Sequence, residues 1–253
     1  MMKILFTLCG RAGSKGCKNK NIRNFLGHPL FYYSINAIEK YCEKYNVEYR
    51  ICISTDSIDF INLIPKKRNI FIVNRSAGLA LDNTPKMAAI RDCAIKTKEQ
   101  LDFDFDFVVD LDITSPIRTV DDIKNGISVF QTGIYDCVFS VTKARRNPYF
   151  NMVKCVNGIY SKALESNFTT RQQAPRMFDM NASIYFYKND FLLDENNYTP
   201  LQKKFAIFEM MDTGIIDIDD DEDFAMMEII ANHLKDNYCN YFEIFDLSEF
   251  WIK

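Results

Sequence analysis

Three observations predict an α/β fold in three layers around a mostly parallel sheet. Short apolar runs alternate with helix-patterned segments at regular intervals along the first 141 residues, and parallel strands need such crossovers. The apolar runs are continuous rather than alternating, as expected of strands covered on both faces. Polar residues gather just after those runs, at 11–21, 55–56, 75–82 and 112–118. In open α/β sheets the carboxyl ends of the strands carry the ligand site.

The elements follow in order. Residues 3–9 form an apolar strand that runs into a Gly- and Lys-rich loop at 10–21. Leu30, Ile35, Ile38 and Tyr41 recur at helical spacing behind Pro29, which predicts a helix over 29–45. Strands are expected at 50–54 and 69–73. A long helix is expected over 84–101, with Asp82 or Thr84 as its N-cap and Pro85 in its first position. Residues 107–111 make a further strand, 120–131 a helix and 136–141 a strand.

The rhythm then breaks. Lys143-Ala-Arg-Arg-Asn-Pro148 is basic and disfavours helix, and Asn157-Gly158 is a hairpin-type turn. We read 143–181 as an insertion, after which 183–187 is a strand. Residues 215–219 are expected as a strand, 221–236 as a helix, and the aromatic-rich tail from 238 as a final helix or lid.

Composition narrows the function. The 253 residues carry 31 Lys+Arg against 34 Asp+Glu, a net charge of −3 that offers no global basic field for a nucleic acid. No apolar run approaches the roughly 18 residues of a membrane span, and residues 4–9 are too short for a signal-peptide core. The eight cysteines include no Cys-x-x-Cys pair and sit in apolar runs, the pattern of reduced thiols in a cytoplasm. His28 and His233 lack partners at metal-ligand spacing.

The loop Arg11-Ala-Gly-Ser-Lys-Gly-Cys-Lys-Asn-Lys-Asn21 is the most informative stretch. It has neither Walker A nor Gly-x-Gly-x-x-Gly spacing. Its glycines permit close backbone approach, and Arg11, Lys15, Lys18 and Lys20 concentrate positive charge where residues 3–38 hold no Asp or Glu. That combination suits a polyphosphate. Late in the chain, Asp217 and Asp219 lie two apart on an expected strand and so share a face. A divalent cation would relieve their repulsion. A solvated acidic turn fits the same residues, since Asp220, Asp221, Glu222 and Asp223 follow and can serve a helix N-terminus.

Arg-x-Gly-Ser-Lys-Gly followed by Lys-Asn resembles the acylneuraminate cytidylyltransferases, the CMP-sialic acid synthetases. Further motifs match in order: Arg75 with Leu79-Ala-Leu-Asp82, Thr114-Ser-Pro-Ile-Arg118, Arg171-Gln-Gln-Ala-Pro175, Asn181-Ala-Ser-Ile-Tyr185 with Ala in place of the family's Gly, and Ile216-Asp-Ile-Asp219. The resemblance implies a Rossmann-like nucleotidyltransferase fold. It implies transfer of CMP from CTP to the anomeric 2-hydroxyl of a nine-carbon sugar acid, with release of pyrophosphate. By resemblance Arg11, Ser14, Lys15 and Lys20 surround the triphosphate, with Lys20 at the α-phosphate. Asn21, Arg75 and Thr84 meet the nucleoside, and backbone near Cys9 reads cytosine. Asp217 and Asp219 hold Mg²⁺, with Mn²⁺ as the alternative ion. Asp82 is expected to orient the Arg75 loop.

On the acceptor side the resemblance points to Asp112, Thr114, Ser115, Arg171, Gln172, Gln173 and Asn181, with Arg171 on the sugar carboxylate. Here the chain departs from the sialic acid enzymes. Asp112-Ile113 stands where they often carry Gln-Pro, Asp179 where they often carry a second Arg, and Phe150 where a lysine can occur. Asp112 and Asp179 add acceptor groups and negative charge, which suit a differently substituted sugar. Legionaminic acid is the first expectation, then pseudaminic and sialic acid. The insertion is expected to reach a neighbouring subunit in a homodimer. The alternatives are an enzyme for an eight-carbon sugar acid of the KDO type and a catalytically silent nucleotide-binding regulator.

Overall fold

Ile4, Phe6 and Leu8 pack into one hydrophobic cluster while Leu5 between them packs into another, all fully buried. The strand thus has a core on each side, which is why it reads as one apolar run. The computed structural model describes residues 2–13, 16–211 and 217–250. The first elements are β1 (Lys3–Cys9), β2 (Asn24–Phe25), β3 (His28–Pro29), α1 (Phe31–Tyr45), β4 (Glu48–Thr55), α2 (Ile58–Leu63) and β5 (Ile70–Asn74). Next come α3 (Lys86–Leu101), β6 (Phe107–Leu111), α4 (Val120–Phe130) and β7 (Cys137–Lys143). The rest are β8 (Val153–Val156), β9 (Ile159–Lys162), β10 (Phe178–Lys188), α5 (Asn189–Leu193), β11 (Phe205–Glu209), α6 (Asp221–Asn237) and α7 (Cys239–Phe245).

Among the described residues the main sheet has the order β11-β7-β10-β6-β1-β4-β5. Its strands are parallel except β10, which runs antiparallel to both β6 and β7. The helices α1, α4, α6 and α7 contribute to the cluster on one face, and α3 and α5 to the other. The chain steps outward from β1 to β4 and β5, then crosses back to place β6 on the other side of β1. The β1–β6 boundary is therefore the switch point at which open α/β sheets bind ligands.

Local chemistry accounts for the helix ends. Thr119 and Asp122 form a reciprocal capping box on α4, and Asp220 and Asp223 form one on α6. The acidic run after Asp219 is thus a helix start. The expected cap of α3 is corrected: Pro85 occupies the N-cap position, and no side chain caps the helix. The Thr84 hydroxyl instead donates to the Gly78 carbonyl at 2.8 Å, and the Asp82 carboxylate pairs with Arg11. Of the expected strand at 215–219, Asp217–Asp219 are corrected to a segment without regular secondary structure, and 215–216 lie outside the described residues.

β8 and β9 form a separate two-stranded arm closed by Asn157 and Gly158, both at positive φ (52° and 80°), the requirement of a type I′ turn. Strand β10 is longer than the pattern at 183–187 suggests, because residues 178–180 already pair with the end of β7. Its register shifts between Met180 and Tyr185, and Ala182 within that irregularity has φ +50°. Left-handed backbone is costly for a residue with a Cβ, which explains why the resembled motif carries Gly there. No helix among the described residues is long and apolar enough to cross a membrane, and the eight cysteines are free thiols.

Candidate active site

A cleft of about 460 Å³ opens over the carboxyl ends of β1 and β6. The described part of the basic loop after β1 is tied down by side chains of the loop itself and of the strand end beside it. The Ala12 amide donates to Asp56 at 2.7 Å, and the Asn21 amide group donates to the Arg11 carbonyl at 3.2 Å. Arg11 reaches Asp82 at 2.7 Å and donates to the Ala80 carbonyl at 3.2 Å, which joins the loop to the 77–82 segment. A Cβ on Gly16 would lie 2.0 Å from the Asp219 carbonyl oxygen, so only glycine lets the loop come this near to Asp219.

Lys20 crosses the same gap. Its Nζ donates to the Ile218 carbonyl at 2.5 Å and lies 3.7 Å from Asp219 Oδ1. Ile218 is fully buried, and Asp217 and Asp219 on either side of it both line the cleft. Withdrawal from water and the nearby Asp112 carboxylate hold the Asp217 carboxyl above its ordinary value, against a Thr114 hydrogen bond and the Lys20 charge. Crowded carboxylates of this kind fit an oxygen-ligated divalent cation. Among the described residues no third His, Cys, Asp or Glu joins them, a ligand count that suits an ion taking its remaining oxygens from phosphate and water.

The opposite wall is built by Arg75 and β6. Arg75 is nearly buried and grips the end of β4, donating to Ser54 Oγ at 3.1 Å and to the Ser54 carbonyl at 3.0 Å. Cys9 closes the floor. A hydrogen bond with Cys93 and burial keep its thiol well above the ordinary value, so it is a neutral wall rather than a nucleophile. Arg118 is fully buried and donates to the carbonyls of Asp112 and Ser115 and, at 3.3 Å, to Ser34 Oγ. Burial pulls its pKa down to about 10. Its role is to pin the turn that presents Asp112 and Thr114.

This arrangement joins a glycine-containing cationic loop, a carboxylate pair and a β-strand switch point in one cleft. Residues 8–243 match the family described as cytidylyltransferase. The chain belongs to the cytidylyltransferase family. The CMP-N,N'-diacetyllegionaminic acid synthase of Campylobacter jejuni is 38% identical over 92% of this chain and 96% of its own length. The post-translational flagellin modification protein B of Campylobacter coli is 36% identical over 91% and 95%. A CMP:2-keto-3-deoxy-manno-octonic acid synthetase complexed with CTP shares the fold, with a TM-score of 0.61, at 13% identity over 91% of this chain and 99% of that one.

Within this cytidylyltransferase the structure brings Cys9, Arg11, Lys20, Asn21, Arg75 and Thr84 to the cleft, and with them Asp112, Thr114, Asp217 and Asp219. Ser14 and Lys15 lie outside the described residues. Other expected residues stand apart from the cleft of their own chain. Ser115 is buried with its carbonyl held by Arg118. Asn181 is buried and accepts from Ser140 Oγ at 2.6 Å, a support for the β10 irregularity. Arg171, Gln172 and Gln173 form an exposed turn beyond the arm. There Arg171 donates to the Arg145 carbonyl at 2.6 Å, and Gln173 accepts from the amides of Thr169 and Thr170.

Asp112 is not the open acceptor that its sequence position suggests. One carboxylate oxygen is 2.7 Å from Lys86 Nζ, and the other accepts from the Thr114 amide at 3.3 Å and hydroxyl at 3.1 Å. Burial resists its ionisation, but Lys86 and Thr114 outweigh that and hold its pKa below the ordinary value. Lys86 itself went unread in the sequence. A signal was present: it opens a helix, where a cation opposes the helix dipole and so needs another reason to be there.

Proposed function

We propose that this enzyme transfers CMP from CTP to the anomeric 2-hydroxyl of a nonulosonic acid of the legionaminic type, releasing pyrophosphate. The observation that carries the reading is the convergence of Arg11 and Lys20 with Asp217 and Asp219 across Gly16 in one cleft. The similarity to a diacetyllegionaminic acid synthase supports the choice of sugar. Arg11 and Lys20 bind and orient the triphosphate, with Lys20 beside the α-phosphate, where negative charge builds as the sugar oxygen bonds to phosphorus and the bridge to pyrophosphate breaks. Arg75 and Asn21 hold the nucleoside. Asp217 and Asp219 would hold Mg²⁺, which supplies Lewis-acid stabilisation of the phosphate oxygens. Both CTP supply and reduced thiols fit a cytoplasmic enzyme.

Incubation with CTP, Mg²⁺ and a panel of sugar acids tests the reading. Pyrophosphate release is expected to be fastest with legionaminic acids. Turnover with KDO alone would replace the acceptor, and CTP binding without turnover on any sugar would make the protein a regulator.

The same reading includes a homodimer. Val153, Val156, Ile159 and Tyr160 on the arm are all more than half exposed, and a two-stranded hairpin needs a surface to pack on. A twofold contact would cover these residues and carry each Arg171-Gln-Gln turn to the partner's cleft. Light scattering at micromolar protein is expected to give twice the chain mass. Introducing charge on the arm, as in Val156→Glu with Ile159→Glu, is expected to raise KM for the sugar more than for CTP. A fully active monomer overturns the dimer.

A further inference from the structure

Lys86 follows Pro85 at the start of α3, and its ammonium reaches the end of β6. Nζ lies 2.7 Å from Oδ2 of Asp110 and 2.7 Å from Oδ2 of Asp112. Asp110 is fully buried, and its other oxygen accepts from Thr7 Oγ1 at 2.7 Å. The other oxygen of Asp112 is taken by Thr114. Asp112 is therefore satisfied by the protein, whereas Asp110 Oδ2 is balanced by the Lys86 charge without a hydrogen bond.

An ammonium has three N–H donors. One donates to Asp112, a second faces Asp110 in an ion pair outside hydrogen-bond geometry, and among the described residues the third has no partner. The side chain is 35% exposed and lines the cleft. Burial alone would favour loss of its proton, but Asp110 and Asp112 outweigh it and keep the lysine charged. The cation is thus fixed in place before any ligand arrives, so binding costs it little further side-chain entropy.

We propose that Lys86 is a substrate-binding residue whose third N–H donates to an oxyanion of a substrate, with Asp110 and Asp112 as the positioning residues that aim it. The inference rests on the CMP-transfer reading, which supplies two such oxyanions: a phosphate of CTP and the carboxylate of the sugar acid. Lys86 takes over the role that the sequence position of Asp112 suggests, with a donor in place of an acceptor.

Removing Lys86 alone would strand the buried Asp110 charge. The test therefore uses Lys86→Met with Asp110→Asn and Asp112→Asn, beside a control with the two Asn changes only. The triple variant is expected to show KM raised about tenfold or more relative to the control, with kcat less affected. A rise confined to the sugar acid identifies the carboxylate as the contact. A rise for CTP, matched by weaker CTP binding in calorimetry, identifies a phosphate. Equal KM values for both substrates in the two variants overturn the proposal and leave Lys86 a counter-ion. Should the triple variant fail to fold, the Lys86 signal in wild-type enzyme with ¹⁵Nζ-labelled lysine decides. A shift on adding CTP or the sugar acid supports the contact, and no shift with either overturns it. Absence of turnover by the wild type on every sugar would refute the CMP-transfer reading, whereas the CTP arm reads Lys86 without an acceptor.

Discussion

Lys20→Ala is expected to lower turnover by about 10²–10³-fold, the usual loss when one preorganised positive donor is taken from a developing oxyanion. The structure explains why the effect should be catalytic rather than a matter of folding. Among the described residues Lys20 donates to a single carbonyl, that of Ile218, and its nearest carboxylate, Asp219, is largely exposed at 3.7 Å. Little stability depends on such a pair. The Lys20 side chain is also only one-fifth exposed, so it acts in surroundings where its charge is poorly screened. Arg11→Ala should lose a comparable factor, because its pairing with Asp82 is a half-exposed contact that phosphate can replace. Steady-state rates beside thermal melts decide the matter. A variant with wild-type kcat at an unchanged melting temperature removes that residue from the catalytic set.

Asp217→Asn is expected to raise the Mg²⁺ concentration for half-maximal rate and to cut the maximal rate by roughly 100-fold or more, since a Lewis acid contributes several kcal/mol at the transition state. Asp219→Asn should act in the same direction. Stability is expected to move the other way for Asp217. Its folded pKa is held above the unfolded value, so its ionisation opposes folding at neutral pH, and the penalty fades as pH falls below that raised pKa. A neutral Asn carries no such penalty, and the melting temperature should not drop. An unchanged Mg²⁺ titration in both variants would place the ion on the nucleotide alone.

Much of this architecture was legible in the chain. Residues 107–111 and the helix behind Pro29 were readable because burial on both sheet faces, or on one helix stripe, leaves an apolar pattern. Strand β11 and helix α2 were not. Phe205–Glu209 is a short edge strand with several partly exposed residues, and Ile58–Leu63 spans six residues with one buried side chain. The start of β10 was hidden because its first residues are exposed, as befits a strand leaving the arm. Arg11, Lys20, Asp217 and Asp219, which line one cleft, were singled out through motifs of the resembled family. Lys86 and Asp110 were missed because their bond joins residues 24 apart through the fold, and neither shows a local pattern. The expected caps on α3 failed because the Asp82 and Thr84 side chains bind elsewhere, to Arg11 and Gly78.

The antiparallel strand β10 also imposes an order of assembly. It fills the slot between β6 and β7, and among the described residues β7 has no sheet partner but β10 and β11. The strands β5, β4, β1 and β6 can pair as soon as residue 111 is available. Strand β7, made next, must wait for residues 178–188 to return from beyond the arm before it joins them. During synthesis the chain therefore holds an apolar strand without neighbours while some 45 further residues emerge, about two to nine seconds at ordinary elongation rates. Two halves of the cleft are separated by the same delay: the strand ends that carry Cys9 and Asp112 form early, and the acidic segment at 217–219 arrives only after the central slot has closed.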